Sequence, residues 1–230
     1  MNHKIITFYA VELPNVETVI GYQKRIFNHF GIDIEQIPFT DKLPHPHSEA
    51  MTKYLLENNE WDSVSIFDVD SIVTSTETIE RAIDIISDKN TIYGNAQATH
   101  NELPFAAPNF LNLTREVWNR TLDIWDKNQN LHRDIFRYQT YERDGKEIMC
   151  DVAEMFNIQN RKIGTRIIVS YPTKNEGKPE WRYIGGNGYR DFEWGNGTWF
   201  DSKTFHGSEI RYPHKQQVFF DICQKILNNE

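Results

Sequence analysis

The sequence predicts an α/β fold with a mainly parallel sheet flanked by helices, and two observations carry that expectation. Strand-type and helix-type patterns alternate three times in the first 90 residues, the order that builds right-handed strand–helix–strand crossovers. In addition, the apolar, β-branched run VSIFDVDSIV at residues 64–73 is interrupted by two aspartates, Asp68 and Asp70. An interior strand does not tolerate unpaired carboxylates, so this pair belongs at a strand end, facing something cationic.

The elements follow in order. Residues 4–13 are β-branched and aromatic and read as a buried first strand. Pro14 suits a first helical turn, and Val16, Val19, Ile20, Phe27 and Phe30 share one helical face before Gly31 ends it. A short strand at 33–39, a proline-broken loop at 40–47 and a helix at 48–59 burying Ala50, Met51, Tyr54 and Leu55 come next. After the Asp-x-Asp strand, Thr74 and Glu77 have the spacing of a capping box, for a helix that buries Ile79, Ala82, Ile83 and Ile86. A strand is expected at 91–98, and the apolar stretch 105–113 leads into a helix at Thr114 that buries Val117, Leu122 and Trp125. Residues 128–146 show no clean period and read as a connection with some helical content. A helix starting at Cys150 and Asp151 turns Val152, Met155 and Phe156 inward, and 163–170 is a strand. Residues 171–200 form a long Gly-, Asn- and aromatic-rich excursion, of a length that is uncommon unless functional or flexible. From His214 the tail is helical, with Phe219, Ile222, Cys223 and Ile226 on one face.

Composition narrows the function classes. At 230 residues, without linker or repeat, the chain is expected to form one domain, 1–230. No apolar run approaches the roughly 20 residues of a membrane span, and the opening MNHKIITFYA lacks the apolar region of a signal peptide. No membrane partner and a cytoplasmic location are therefore expected. Two cysteines, Cys150 and Cys223, show no metal-like spacing, which suits a reducing compartment. The net charge of −8 argues against a broad grip on nucleic acid.

Several residues carry candidate chemistry. Residues two apart on a strand share a face, so Asp68 and Asp70 can converge on one hard cation, or on a cation and a ribose. Arg211, five residues after His206, can meet a diphosphate with a bidentate fork, or simply be solvated. Asp151 and Glu154 stand before an apolar run, where an Asp-x-x-Glu spacing is also that of a helix cap. His45 and His47 flank Pro46 and read as polar loop residues, while Asn95 and residues 101–109 give a weak signal. Trp181, Tyr183, Tyr189, Trp194 and Trp199 can pack the excursion on the core or, with the glycines between them, act as a mobile lid.

In its order of features, an early strand, Asp-x-Asp after an apolar strand, an apolar mid-chain segment, an acidic helix start and a late His-Gly, the chain resembles the nucleotide-sugar-dependent glycosyltransferases of the GT-A fold. The resemblance implies a Rossmann-like, mixed but mainly parallel sheet. It implies a nucleotide-sugar donor, with a UDP-sugar expected, and Asp68 on the ribose or the metal. Asp70 and His206 would be metal ligands, Tyr9 a base or ribose contact, and Asp151 the base that takes the acceptor hydroxyl's proton. A mixed carboxylate and imidazole set suits Mn²⁺ better than Mg²⁺. The acceptor stays open between a protein, a glycan and a modified DNA base, as do stereochemistry and oligomeric state. Two alternatives remain: a haloacid dehalogenase-type phosphatase using Asp68 and Asp70, and a non-catalytic carbohydrate- or nucleotide-binding module.

Overall fold

The alternation expected from the sequence organises the computed structural model, which describes residues 2–40, 46–97, 104–127, 135–136, 140–143, 145–176, 197–201, 203–207 and 210–229. The first half runs β1 (His3–Ala10), α1 (Val16–His29), β2 (Glu35–Phe39), α2 (Pro46–Glu57), β3 (Ser63–Asp68), β4 (Ser71–Val73), α3 (Glu77–Ile86), β5 (Thr91–Gln97) and β6 (Phe105–Thr114). The second half runs α4 (Arg115–Lys127), β7 (Thr140–Arg143), β8 (Lys146–Met149), α5 (Glu154–Lys162), β9 (Arg166–Ser170), β10 (Pro172–Glu176), β11 (Gly197–Phe200), β12 (Thr204–Gly207) and α6 (Pro213–Leu227).

The central sheet has the order β2-β1-β3-β6-β5-β9. All its neighbours pair in parallel except β6, which is antiparallel to both β3 and β5. The fold class is thus a mixed, mainly parallel sheet flanked by helices. Alternation along the strands sorts side chains to two faces. Ile6, Phe8, Val64, Ile66, Leu111 and Leu113 pack with Met51 and Leu55 of α2, Trp118 of α4 and Phe156 of α5. Phe67, Tyr93 and Phe110 pack with Phe27 of α1, Ile79 of α3 and Phe219 of α6. Burying each such side chain contributes about 1.5–3 kcal/mol. A second sheet, β10-β11-β12-β4, borrows β4 from the middle of the chain.

Two connections position the site. The Arg115 guanidinium lies 3.5 Å over the Trp61 ring and donates to the Leu55, Asn58 and Trp61 carbonyls. It thereby satisfies the open end of α2 and ties that helix to the start of α4. Asn157 of α5 pairs with both the N–H and the carbonyl of Ala106, which docks α5 on β6.

Three sequence-based expectations are corrected. Thr74 and Glu77 form no capping box, because Lys203 engages both: the Thr74 hydroxyl donates to Lys203 O at 3.1 Å and the Lys203 ammonium reaches Glu77 at 3.2 Å. The run 64–73 is two strands in two different sheets. Within 128–146, the described part holds the strand β7 and the start of β8, paired antiparallel around Gly145 at φ 70°. The Asp-Gly at 144–145 was the turn signal.

His3 supplies a test of the strand core. Its ring lies 2.8 Å and 2.9 Å from the hydroxyls of Ser63 and Ser65, and burial pushes its pKa down to about 4. Above the ordinary imidazole value both folded and unfolded chains are neutral there. Below it the unfolded chain takes the proton first, so stability falls as pH drops, until the folded ring also titrates. The expected loss by pH 4 is about 1–3 kcal/mol. Urea unfolding at pH 7, 5.5 and 4.5 should show a steeper decline for the wild type than for His3→Gln; matching slopes would mean the ring is solvated.

Candidate metal and donor site

The site grows from the end of β3. Asp68 is its last residue, level with Phe8 of β1 in the parallel register. The chain then turns at Val69 and Asp70 and leaves the central sheet as β4. Asp70 therefore reaches the site from a turn and not from strand alternation, a correction to the simple two-residue argument. In the second sheet, Ser71 of β4 pairs with His206 of β12, and the Gly207 N–H donates to Asp70 O at 2.8 Å. This pairing places His206 Nε2 at 3.4 Å from Asp70 Oδ1 and 3.8 Å from Asp68 Oδ2. Asp68, Asp70 and His206 each offer one ligand atom, all within 4.8 Å of one another.

Buried polar side chains hold the turn. Gln23, on the apolar face of α1 between Val19 and Phe27, donates from one carboxamide nitrogen to Asp68 O at 2.8 Å and to Ser71 O at 2.9 Å. Thr7 donates to Phe67 O at 2.8 Å, and Gln36 reaches the Gln23 oxygen at 3.3 Å. The carbonyls around the turn thus keep donors where the strand ladder stops.

On the far side, β6 bulges. Gly94 pairs with Leu111 and the next residue, Asn95, with Ala107, so residues 108–110 have no counterpart on β5. Proline suits such a bulge because it brings no ladder donor. Gly94 permits it, since a Cβ there would strike Phe110 O and Ala106 Cβ. The bulge aims the buried Asn109 at His206, with Nδ2 3.3 Å from Nδ1.

Burial and neighbouring charges shift both kinds of group in the cluster. Burial lifts the Asp68 pKa above the ordinary carboxylate value; His47 and His206 pull it back, and the Asp70 and Asp151 charges lift it again. Burial works against a charged His206, but the Asp70 carboxylate, then Asp68, outweigh it and raise the ring's pKa.

The other expected residues are distributed as follows. Asp151 is half-buried, and its charge is felt at Asp68. Its side chain does not cap α5: Oδ1 accepts the Val152 N–H at 2.7 Å and Oδ2 accepts from Gln97. The helix instead starts after Ala153 at φ 66°, without a side-chain cap. Glu154 supplies a reverse contact, accepting the Asp151 N–H at 2.9 Å. Tyr9 is half-buried, one residue beyond the Phe8–Asp68 register pair. Arg211 is exposed after β12, with its guanidinium 5.6 Å from the Tyr212 ring centroid. His47 is not a loop residue; α2 turns it inward to 3.5 Å from Asp68 Oδ1. Asn95 is buried and accepts from Thr204. His45, residues 101–103, and Trp181, Tyr183, Tyr189 and Trp194 lie outside the described residues. Trp199 packs on Phe205 and bonds Glu176.

Sequence reasoning passed over Gln23, Gln97 and the inward role of His47. Gln23 had a visible signal, as a polar residue four positions from both Val19 and Phe27 on an apolar stripe.

The donor set fits a divalent cation. Ligands about 2.2 Å from one ion stand about 3 Å apart at right angles and about 4.4 Å apart when opposed, a range that includes the 3.4 Å and 3.8 Å separations. Asn109 fits as well, because its Oδ1 is buried without a hydrogen-bond partner among the described residues. A half-turn of that amide lets Oδ1 accept Nδ1–H of His206 and leaves the Nε2 lone pair facing the carboxylates. A mixed sheet with an Asp-Asp-His group at a strand end fits a GT-A fold.

Three solved structures overlap the chain in part. A glycosyltransferase involved in glycosylation of the major capsid of PBCV-1 superposes with a TM-score of 0.47 at 10% identity, over 74% of this chain and 81% of that one. A197 from STIV gives 0.36 at 8%, over 52% and 68%, and the apo-form glycosyltransferase GlyE of Streptococcus pneumoniae TIGR4 gives 0.39 at 12%, over 73% and 45%. No protein-family profile and no curated protein matches the sequence. With every TM-score below 0.5, the functional reading rests on the chain's own residues.

Gln23→Leu keeps the volume but strips the donor from two carbonyls. It should destabilise the protein by about 2–4 kcal/mol, read as a lower urea midpoint with unchanged slope.

Proposed function

We propose that this chain is a metal-dependent glycosyltransferase, moving a sugar from a nucleotide donor, with UDP as the nucleotide, to an acceptor hydroxyl. The observation that carries this is the convergence of Asp68, Asp70 and His206 at the carboxyl end of β3, the edge where open α/β sheets bind ligands. Asp68, Asp70 and His206 would hold Mn²⁺, or Mg²⁺ less well. A cation bound there supplies positive charge against the diphosphate as it leaves.

The chain's own groups then divide the work. Tyr9, one residue beyond the Phe8–Asp68 register pair, is our candidate for the base or ribose contact, and Arg211 for a diphosphate oxygen. In the transfer, the bond from the sugar's anomeric carbon to the phosphate oxygen breaks and its electron pair leaves with the nucleoside diphosphate. A bond forms from the acceptor oxygen to that carbon, and the acceptor proton passes to Asp151. Its carboxylate is oriented for this by the Val152 N–H and the Gln97 amide. General-base catalysis of this kind contributes about 10²–10⁴-fold. We assign all 230 residues to one catalytic unit and a reducing, cytoplasmic setting, which accords with two buried free thiols. Among the described residues, no helix is long and apolar enough to cross a membrane.

Isothermal titration of UDP-sugars with and without Mn²⁺ tests the proposal: binding that needs the metal, with slow donor hydrolysis, is the expected result. Turnover of a generic phosphomonoester would favour phosphatase chemistry instead, and metal-dependent binding without hydrolysis or transfer a binding module. Asp70→Ala should abolish metal-dependent donor binding while the thermal midpoint without metal holds; retained donor affinity would count against the whole assignment. Asp151→Asn should bind donor as the wild type does and lose transfer by about 10²-fold or more. Parallel losses of thermal stability and activity in that variant would make the residue structural.

A further inference from the structure

Asp68 has an imidazole on each side. Its Oδ2 faces His206 at 3.8 Å, and its Oδ1 faces His47 Nε2 at 3.5 Å. Both atoms of the second pair, His47 Nε2 and Asp68 Oδ1, are buried and have no hydrogen-bond partner among the described residues. Each therefore stands opposite the group that would satisfy it. The His47 ring is not free to turn elsewhere at low cost: it stacks on Phe39 with the rings 7° apart in plane and 5.7 Å between centroids, and tilts against Phe8 at 6.2 Å. It sits in the first turn of α2, the helix that Arg115 fastens at its other end through Leu55 and Asn58.

We propose that His47 is a positioning residue for the cation site: its Nε2–H engages Asp68 Oδ1 and so fixes the carboxylate rotation that presents Oδ2 to the metal. Among the described residues, the ligand atoms that lie together within 4.8 Å are those of Asp68, Asp70 and His206, so the ring is assigned a place outside that set. The role needs only the neutral tautomer that carries its proton on Nε2, and no charge on the ring. It divides the Asp68 carboxylate into an anchored oxygen and a coordinating one, the arrangement that outer partners impose on metal ligands generally. Helix α2 thereby joins β3, β12, α1 and the β6 bulge among the elements that shape the site.

The inference rests on the proposed metal site, and metal alone, without donor or acceptor, is the probe. Free Mn²⁺ is titrated by electron paramagnetic resonance against the wild type, His47→Phe and His47→Gln, with metal-free thermal midpoints recorded for each. His47→Phe keeps a ring for the stack and loses the donor; it should bind Mn²⁺ about 10- to 100-fold more weakly at an unchanged metal-free midpoint. His47→Gln retains a donor and should recover most of that loss. His47→Leu, which also lacks a donor, replaces the phenylalanine variant if that one does not fold. Wild-type Mn²⁺ affinity in the donor-free variants overturns the role of His47 and leaves the metal site standing. A glutamine variant as weak as the donor-free ones also overturns it. Absence of Mn²⁺ binding by the wild type overturns both.

Discussion

The contact between the His206 imidazole and the carboxylates of Asp68 and Asp70 is the one around which the rest of the architecture is arranged. Two acids at the end of a strand repel each other and lose hydration as the sheet closes over them. Something must supply positive charge or donors. The chain supplies part of it from near its other end, by pairing β12 with β4 so that His206 stands opposite Ser71. The proposed divalent cation would supply the remainder.

The polar groups around this cluster share a logic. Gln23 serves the carbonyls on both sides of the turn, Asn109 steadies the imidazole from the β6 bulge, and Gln97 with Val152 orients Asp151. The groups they contact lie where regular pairing ends: beyond the last β3–β6 pair, beside the bulge, or before the first turn of α5. Interrupted ladders leave backbone groups without partners, and side-chain amides take their place. Irregular backbone is then both the source of the polar demand and the means of aiming side chains into the site.

Much of the fold was legible because periodicity records burial. The alternating strands and helices of the first 90 residues, the stripes of α1, α3 and α6, and the strand-end position of Asp68 all follow from which residues are apolar and how far apart they stand. The split between β3 and β4 was not legible, since Val69 and Ile72 continue the apolar run and composition does not say into which sheet a strand goes. Nor was the partner of Thr74: a capping box is a local pattern, and Lys203, distant in sequence, displaced it. The same limit applied to the site. Asp68, Asp70 and His206 could be grouped through resemblance, whereas the stripe of α1 marks Gln23 as buried without naming its partners, and no local spacing gives the neighbour of His47.

The borrowed strand β4 has one more consequence. Because β4 lies between β3 and α3 in sequence but pairs with β12 in space, docking of β12 is what brings His206 to the two carboxylates. A ligand that binds only the assembled cluster holds β12 on β4 by mass action, and anything that loosens β12 weakens the ligand by the same factor. The β4–β12 pairing is thereby the mechanical link between the second sheet and the carboxylates.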